Sequence, residues 1–170
     1  YGLVPENDRE SLIDSIVRDG MQCKTLLSLN LLRVLFENGR EHEAYKILNN
    51  TSYPGWGHMI SKGYRTIWEG FDDIESHSHA WNAYPARIFA EYIVGIKPAS
   101  PGFSHIIIKP FMPGDMQFAE SRIQTVRGQV YVKWEKTTRG YTIQVSIPAN
   151  TTAELYLPGC TKDILSIEES

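Results

Sequence analysis

Acidic, aromatic and histidine side chains gather between residues 53 and 81, mostly where helical periodicity lapses. They fall in SYPGWGHMI (52–60), YRTIWEGFDD (64–73) and SHSHAW (76–81). The candidate site residues are Tyr53, Trp56, His58, Trp68, Glu69, Asp72, Asp73, His77, His79 and Trp81. Flat aromatic faces pack against the C–H faces of a sugar ring, and a pair of carboxyl groups can hydrolyse a glycosidic bond. The Trp-Glu pair between glycines suggests a pocket wall with an acid, Glu69, at its centre.

Each of these residues also has an ordinary structural explanation, and the residue types alone leave both readings open. A glutamate in a loop is usually a solvated surface charge, and a tryptophan in a helical protein usually belongs to the core. His77 and His79 stand two positions apart, and such a pair is rarely a metal site without further ligands. Asp72 and Asp73 could cap the next helix. The sequence therefore predicts a pocket but no metal site.

Composition and charge exclude several classes of protein. The 170 residues, 42% hydrophobic and 22% charged, are typical of an ordinary globular protein of one or two domains. A net charge of -3 without a dense Lys/Arg cluster argues against a nucleic-acid partner. No apolar run approaches the roughly 20 residues of a membrane span. Cys23 and Cys160 form neither a disulfide framework nor a CxxC zinc motif.

Helices are the elements that would position this pocket. Apolar spacing predicts helices over residues 8–20, 22–39, 40–50 and 79–95. Pro85 should start or kink the last of them. The helix at 22–39 is apolar nearly all round, which predicts burial on several sides. We therefore expect its helical partners to lie upstream of a chain that begins without an initiator Met, in apparently structured sequence.

The periodicity changes beyond a segment rich in Pro, Gly and Ser at residues 96–104, which predicts a linker or tight turn. Val130, Val132 and Trp134 alternate with polar or amphipathic neighbours, as do the apolar residues of 141–147. Period two over several short runs is typical of antiparallel strands with one buried face, and TTRG (137–140) is a candidate hairpin turn. The fold class is therefore α+β, with a helical domain over residues 1–97 and an antiparallel β-sandwich over 98–170.

Several of these segments, taken in order, resemble the C-terminal part of bacterial α-L-rhamnosidases, glycoside hydrolase family 78, and their close relatives. The segments are SYPGWGHMI, TIWEGFDD, SHSHAWNAYPARIFAEYIVGIKP and PGFSHIIIKP, and their order and spacing match over residues 35 to 135 or so. The tail GQVYVKWEK…GYTIQVSIPANTTAELYLP resembles the family's C-terminal β-sandwich. The resemblance implies the last helices of an (α/α)6 barrel followed by the last β-domain of a longer chain.

The resemblance also implies roles for individual residues. Glu69 corresponds to the catalytic general base of an inverting reaction, which deprotonates the attacking water. His79 corresponds to a histidine that hydrogen-bonds the sugar, and Trp56, Trp68 and Trp81 are expected to line the pocket. The general acid would lie upstream of this chain, so we expect the 170 residues alone to be inactive. Neither a cofactor nor a metal is implied.

Two departures from the family pattern leave the exact sugar open. Gly70 and Phe71 follow the Trp-Glu pair where the family usually has Arg and an aromatic residue, and Cys23 and Lys24 stand where many members carry Gly-Thr. One alternative is a non-catalytic carbohydrate-binding or structural module, and another is an (α/α)6 glycosidase for a different sugar.

The expected partners are a rhamnosyl glycoside and the upstream barrel and β-domains of the parent chain, with neither nucleic acid nor membrane. The truncated helical part is expected to expose an apolar face and to self-associate. A periplasmic or extracellular location is favoured over the cytoplasm.

Overall fold

The computed structural model of the chain describes residues 3–72 and 76–159. It divides into two compact units, Tyr1–Phe89 and Ala90–Ser170. The boundary falls within the last helical segment, whereas the change of periodicity places the end of the helical domain at residue 97. Asp73 and Cys160 lie outside the described residues.

Helices form the first unit. They are α1 (Glu6–Asp19), α2 (Ser28–Glu37), α3 (Glu41–Leu48), α4 (Trp56–Ser61) and α5 (Tyr84–Ile88), with a 3₁₀ turn at Ala80–Asn82 before α5. Helix α1 ends at Gly20, whose φ of 62° is the left-handed conformation that glycine adopts without steric cost. The short helix α4 lies within the stretch that the sequence indicates as irregular. Within residues 3–72 and 76–159, none of the helices has the length and apolar character needed to cross a membrane.

Helix α2 begins at Ser28, later than the apolar spacing predicts. The preceding residues form turns, and Lys24 has a φ of 53°, which no α-helix contains. Leu26 is consequently 58% exposed. Leu32, Leu35 and Phe36 are buried, and Leu29, Leu31 and Val34 are partly buried. Burial of the whole helix on several sides stays a prediction.

The helix expected over 79–95 is interrupted. After the 3₁₀ turn, α5 carries Pro85 in its first turn, where the missing N–H of proline costs nothing. The prediction that Pro85 starts or kinks a helix is therefore confirmed. A single π-helical turn, Phe89–Ile93, follows α5.

Strands dominate the second unit. They are β1 (Ile96–Pro98), β2 (His105–Ile108), β3 (Phe118–Thr125), β4 (Gly128–Thr137), β5 (Gly140–Ser146) and β6 (Thr152–Leu155). Among the described residues they form two three-stranded sheets, β1-β2-β6 and β3-β4-β5. Strands β4 and β5 are joined at the predicted TTRG turn, and strand β1 occupies part of the predicted linker.

The β3-β4-β5 sheet is antiparallel, as predicted, but β6 pairs with β2 in parallel. The expectation of antiparallel pairing throughout is wrong for this ladder. The alternation of apolar and polar residues fixes which face of a strand is buried and says nothing of strand direction.

The core of the second unit includes the predicted inward face of β4. Val130, Val132 and Trp134 are all fully buried, and the indole N–H of Trp134 donates to Ile93 O at 2.8 Å. Gly95 has a φ of 90°, and a Cβ there would lie 2.3 Å from the carbonyl carbon of Lys109. Only glycine therefore fits where these two backbones meet.

Candidate active site

Glu69 lies in the irregular segment after α4, and its backbone is hydrogen-bonded through both polar groups. Its N–H donates to Ser76 O at 2.8 Å. Its carbonyl accepts two side-chain hydrogen bonds, from the Thr25 hydroxyl at 2.8 Å and from the Trp81 indole N–H at 2.9 Å. Among the described residues, the half-buried carboxylate has no hydrogen-bonding partner. The backbone of Glu69 is therefore fixed by three hydrogen bonds.

The two residues before Glu69 are held in the same way. The carbonyl of Ile67 accepts from His79 N at 2.8 Å, and that of Trp68 accepts from Asn82 Nδ2 at 3.0 Å. Asn82 Oδ1 in turn accepts from the Trp56 indole N–H at 2.9 Å. Three consecutive carbonyls thus have partners, although this segment has no regular secondary structure.

Three fully buried polar side chains support this backbone. They are the buried polar residues of the described part of the chain: Thr25, Ser28 and Asn82. Ser28 Oγ donates to Thr25 O at 2.6 Å, which ties Thr25 to the start of α2. Burying a polar group costs free energy unless it is hydrogen-bonded. All three therefore stabilise the fold only because the Trp68–Glu69 segment and the α2 turn provide their partners.

Trp56 and Trp68, both predicted pocket walls, lie in the core with 5% and 1% exposure. The Trp56 ring meets Phe71 edge-on at 5.3 Å. The Trp68 ring stacks on His77 at 4.9 Å and meets Tyr64 edge-on at 4.8 Å. This burial favours a supporting role under the Glu69 segment, and their contact with a sugar stays a prediction.

His79 and Trp81 lie together at the edge of the same segment. Their ring centroids are 4.3 Å apart, and Trp81 is 40% exposed. Because the Trp81 N–H is bonded to the Glu69 carbonyl, this aromatic pair is linked directly to the predicted base. The structure thus brings Glu69, His79 and Trp81 together.

Tyr53, His58 and Asp72 form a smaller group. The Tyr53 and His58 rings are 5.6 Å apart, edge to face. The nearby Asp72 carboxylate, as a hydrogen-bond acceptor for the Tyr53 hydroxyl, raises the pKa of Tyr53. The pairing joins the segment before α4 to the end of the Glu69 segment. In the part of the chain that the structure describes, no three His, Cys, Asp or Glu side chains are grouped as metal ligands.

The three buried polar residues of this network, among them Thr25 and Asn82, are absent from the sequence-based candidates. Thr25 reaches Glu69 across 44 positions of sequence, and no local spacing reveals such a contact. The available signal is that Thr25 and Asn82 are polar residues next to apolar or aromatic runs, where a buried hydroxyl or amide requires a partner.

The first unit is thus helical and holds Glu69 beside a partly buried His79 and an exposed Trp81, and the second unit consists mainly of strands. Residues 1–93 match the family model described as the bacterial alpha-L-rhamnosidase 6 hairpin glycosidase domain. Residues 95–170 match that of the bacterial alpha-L-rhamnosidase C-terminal domain. The chain belongs to the bacterial α-L-rhamnosidase family.

Individual relatives agree with this assignment. An alpha-L-rhamnosidase of Streptomyces avermitilis is 31% identical over 92% of this chain and 17% of its own length. One from Alteromonas sp. (strain LOR) is 36% identical over 85% of this chain and 16% of its own length. The solved alpha-L-rhamnosidase of Dictyoglumus thermophilum superposes with a TM-score of 0.83 and 30% identity, over 95% of this chain and 20% of that one.

The Streptomyces avermitilis enzyme, solved in complex with L-rhamnose, also gives a TM-score of 0.83, at 28% identity over 92% of this chain and 17% of that one. The chain therefore spans a fifth or less of the length of each of these relatives.

Proposed function

We propose that residues 1–170 are the C-terminal part of an inverting α-L-rhamnosidase in which Glu69 is the general base. They would contribute the last helices of an (α/α)6 barrel and a β-sandwich domain. The observation that carries the proposal is the Glu69 peptide, fixed by three hydrogen bonds while its carboxylate has no partner among the described residues. The relatives named above support rhamnose as the sugar.

The reaction requires a base that holds a water at a defined place. The Glu69 carboxylate takes a proton from that water as its oxygen attacks the anomeric carbon. The bond from this carbon to the aglycone oxygen breaks, and a general acid protonates the departing oxygen, so the configuration inverts. The two carboxyl groups of such enzymes stand about 6.5–9.5 Å apart, which leaves room for the water. The acid comes from another part of the full-length protein.

The geometry around Glu69 fits this role because general-base catalysis depends on position. A base acts over a heavy-atom distance of about 2.6–3.2 Å to the group it deprotonates. A loop without regular structure holds such a distance only if its peptide groups are bonded, as those of residues 67–69 are.

His79 and Trp81 provide the sugar contacts of this proposal. The imidazole of His79 hydrogen-bonds a sugar hydroxyl, and the exposed face of Trp81 packs against the C–H groups of the ring. Because Trp81 also binds the Glu69 carbonyl, sugar and base are positioned by the same residue.

Hydrolysis of an aryl α-L-rhamnoside by the full-length protein tests the proposal, beside its Glu69→Gln and Glu43→Gln variants. Glutamine keeps the shape of Glu69 and removes the base, so we expect kcat to fall by about 10²- to 10⁴-fold. Glu43, on α3, is the matched control, and its variant should match the wild type. NMR of the first-formed product should show the inverted anomer.

Three results would contradict parts of the proposal. Equal activity of the wild type and Glu69→Gln would show that Glu69 is not the base. A retained anomer would exclude the inverting mechanism. Hydrolysis of a different glycoside that depends on Glu69, without activity on rhamnosides, would support Glu69 as the base and contradict rhamnose as the sugar.

A further inference from the structure

We infer that Thr25 is a positioning residue for Glu69 and acts on catalysis through the Glu69 carbonyl without touching the sugar. This inference rests on the proposed role of Glu69 as general base. The hydroxyl of Thr25 donates to the Glu69 carbonyl at 2.8 Å, and its side chain is almost fully buried.

Thr25 is itself anchored by helix α2. Its carbonyl accepts from Ser28 Oγ at 2.6 Å and from Ser28 N at 3.2 Å, which are the first hydrogen bonds of the turn that opens the helix. Two side-chain hydrogen bonds therefore connect the start of α2 to the Glu69 carbonyl, through Ser28 and Thr25. The core face of α2, with Leu32 and Leu35 fully buried, gives this support its rigidity.

The hydrogen bond restrains one of the two peptide groups that flank the Cα of Glu69 and set the direction of its side chain. Glu69 follows a segment without regular structure, so no ladder of backbone hydrogen bonds fixes its carbonyl. The two donors, Thr25 and Trp81, approach this oxygen from distant parts of the sequence. If the Thr25 donor is lost, Trp81 alone holds the carbonyl, and Trp81 is half-exposed.

A small movement of this peptide is enough to impair catalysis. A misplacement of about 1 Å can reduce the rate of an enzyme by about 100-fold. Because Thr25 does not line the sugar site in this proposal, its loss should lower kcat and leave KM unchanged.

Variants of Thr25 in the full-length protein test the inference. Thr25→Val keeps the shape and removes the donor, so kcat on an aryl α-L-rhamnoside should fall about 10- to 100-fold, with KM unchanged within about twofold. Thr25→Ser keeps the hydroxyl and should restore most of kcat. Thermal unfolding shows whether each variant folds, and Thr25→Ala replaces Thr25→Val if the valine variant does not.

A double-mutant cycle with Glu69→Gln separates positioning from general damage. If Thr25 acts through the carboxylate, Thr25→Val lowers kcat in the wild type and has no further effect in Glu69→Gln. The same fold-loss in both backgrounds, an unchanged kcat in Thr25→Val, or a loss that Thr25→Ser shares, would overturn the inference. If Glu69→Gln alone is fully active, the proposed base fails and the inference about Thr25 fails with it. If Glu69→Gln is inactive and Thr25→Val is fully active, only the inference fails.

Discussion

The peptide and the side chain of Glu69 have separate environments. The backbone N–H of Glu69 donates one hydrogen bond and its carbonyl oxygen accepts two, while the carboxylate has no partner among the described residues. This division is what preorganisation of a general base requires.

Asn82 should be the residue of this network on which stability depends most. Asn82→Ala leaves the buried Trp68 carbonyl without its donor, which should lower the free energy of unfolding by about 1–3 kcal/mol. Denaturant unfolding measures this change in the free energy of unfolding. Asn82→Asp retains the acceptor for Trp56 and loses the donor to Trp68, so it should also destabilise. Asn49→Ala, at an exposed site, is the control, and a loss at Asn82 no larger than at Asn49 would contradict the prediction.

Residue types and their order were sufficient to predict Glu69, His79 and Trp81 as neighbours, because all three lie within one short stretch. The supporting residues could not be predicted in this way. Thr25 contacts Glu69 only after α2 and the loop have packed. Trp68 looks like a pocket wall in sequence, yet its 1% exposure follows from stacking on His77. The sequence predicts which residue types gather at a site. Long-range packing decides whether an aromatic ring there is buried or accessible.

Among the elements, helix α2 shows why the start of a helix is harder to predict than its existence. The apolar run from Leu26 onward extends the helical pattern, but the positive φ of Lys24 and the turn closed by Ser28 delay the first helical residue. The late start has a use, because a residue in that turn, Thr25, can reach Glu69. A helix begun at residue 22 would instead project Thr25 from its side.

The parallel pair β2–β6 is held by side chains as well as by its ladder. His105 Nδ1 lies 2.8 Å from Thr152 Oγ1, and His105 Nε2 lies 3.1 Å from Glu154 Oε1. The Tyr156 hydroxyl donates to Glu154 Oε2 at 2.8 Å. The hydrogen bonds from Tyr156 and then His105 hold the pKa of Glu154 below its ordinary value of 4.5.

This lowered pKa predicts an acid-sensitive pairing of β6. A carboxyl group whose folded pKa is lowered stabilises the fold above its ordinary pKa, and this stability is lost as pH falls through the lowered value. Glu154→Gln should therefore lower the thermal midpoint near pH 7 and flatten its decline below about pH 4.5. Tyr156→Phe should give an intermediate effect. The same dependence of the thermal midpoint on pH in the wild type and in Glu154→Gln would contradict this prediction.

At the scale of the whole molecule, the order of a helical and a β part could be predicted because the apolar period changes from helical to alternating near residue 96. The boundary between the two units could not be predicted from this change. The helical pattern continues through Phe89–Ile93, whereas the second unit begins at Ala90. The parallel direction of β6 could not be predicted either, because side chains alternate with a period of two residues in parallel and antiparallel strands alike.

Exposed apolar side chains on the first unit lead to the last prediction, that the 170-residue chain self-associates. Large apolar side chains of this unit are exposed at Leu3, Leu12, Leu26, Leu27 and Ile60. Exposed apolar patches seek partners in water, and the relatives are at least five times as long as the stretch matched here. Light scattering should show a mass that rises with concentration.

We expect the neighbouring side chains of Leu26 and Leu27 to contribute to this association. They are 58% and 52% exposed in the turn before α2, so replacing both with lysine removes apolar surface without opening the core. We expect this variant to remain monomeric at concentrations where the wild-type chain associates. Val126→Lys, at a site 90% exposed on the second unit, should associate as the wild type does. A wild-type chain that is monomeric at high concentration would contradict the prediction, and equal association of all three proteins would place the contact elsewhere than this turn.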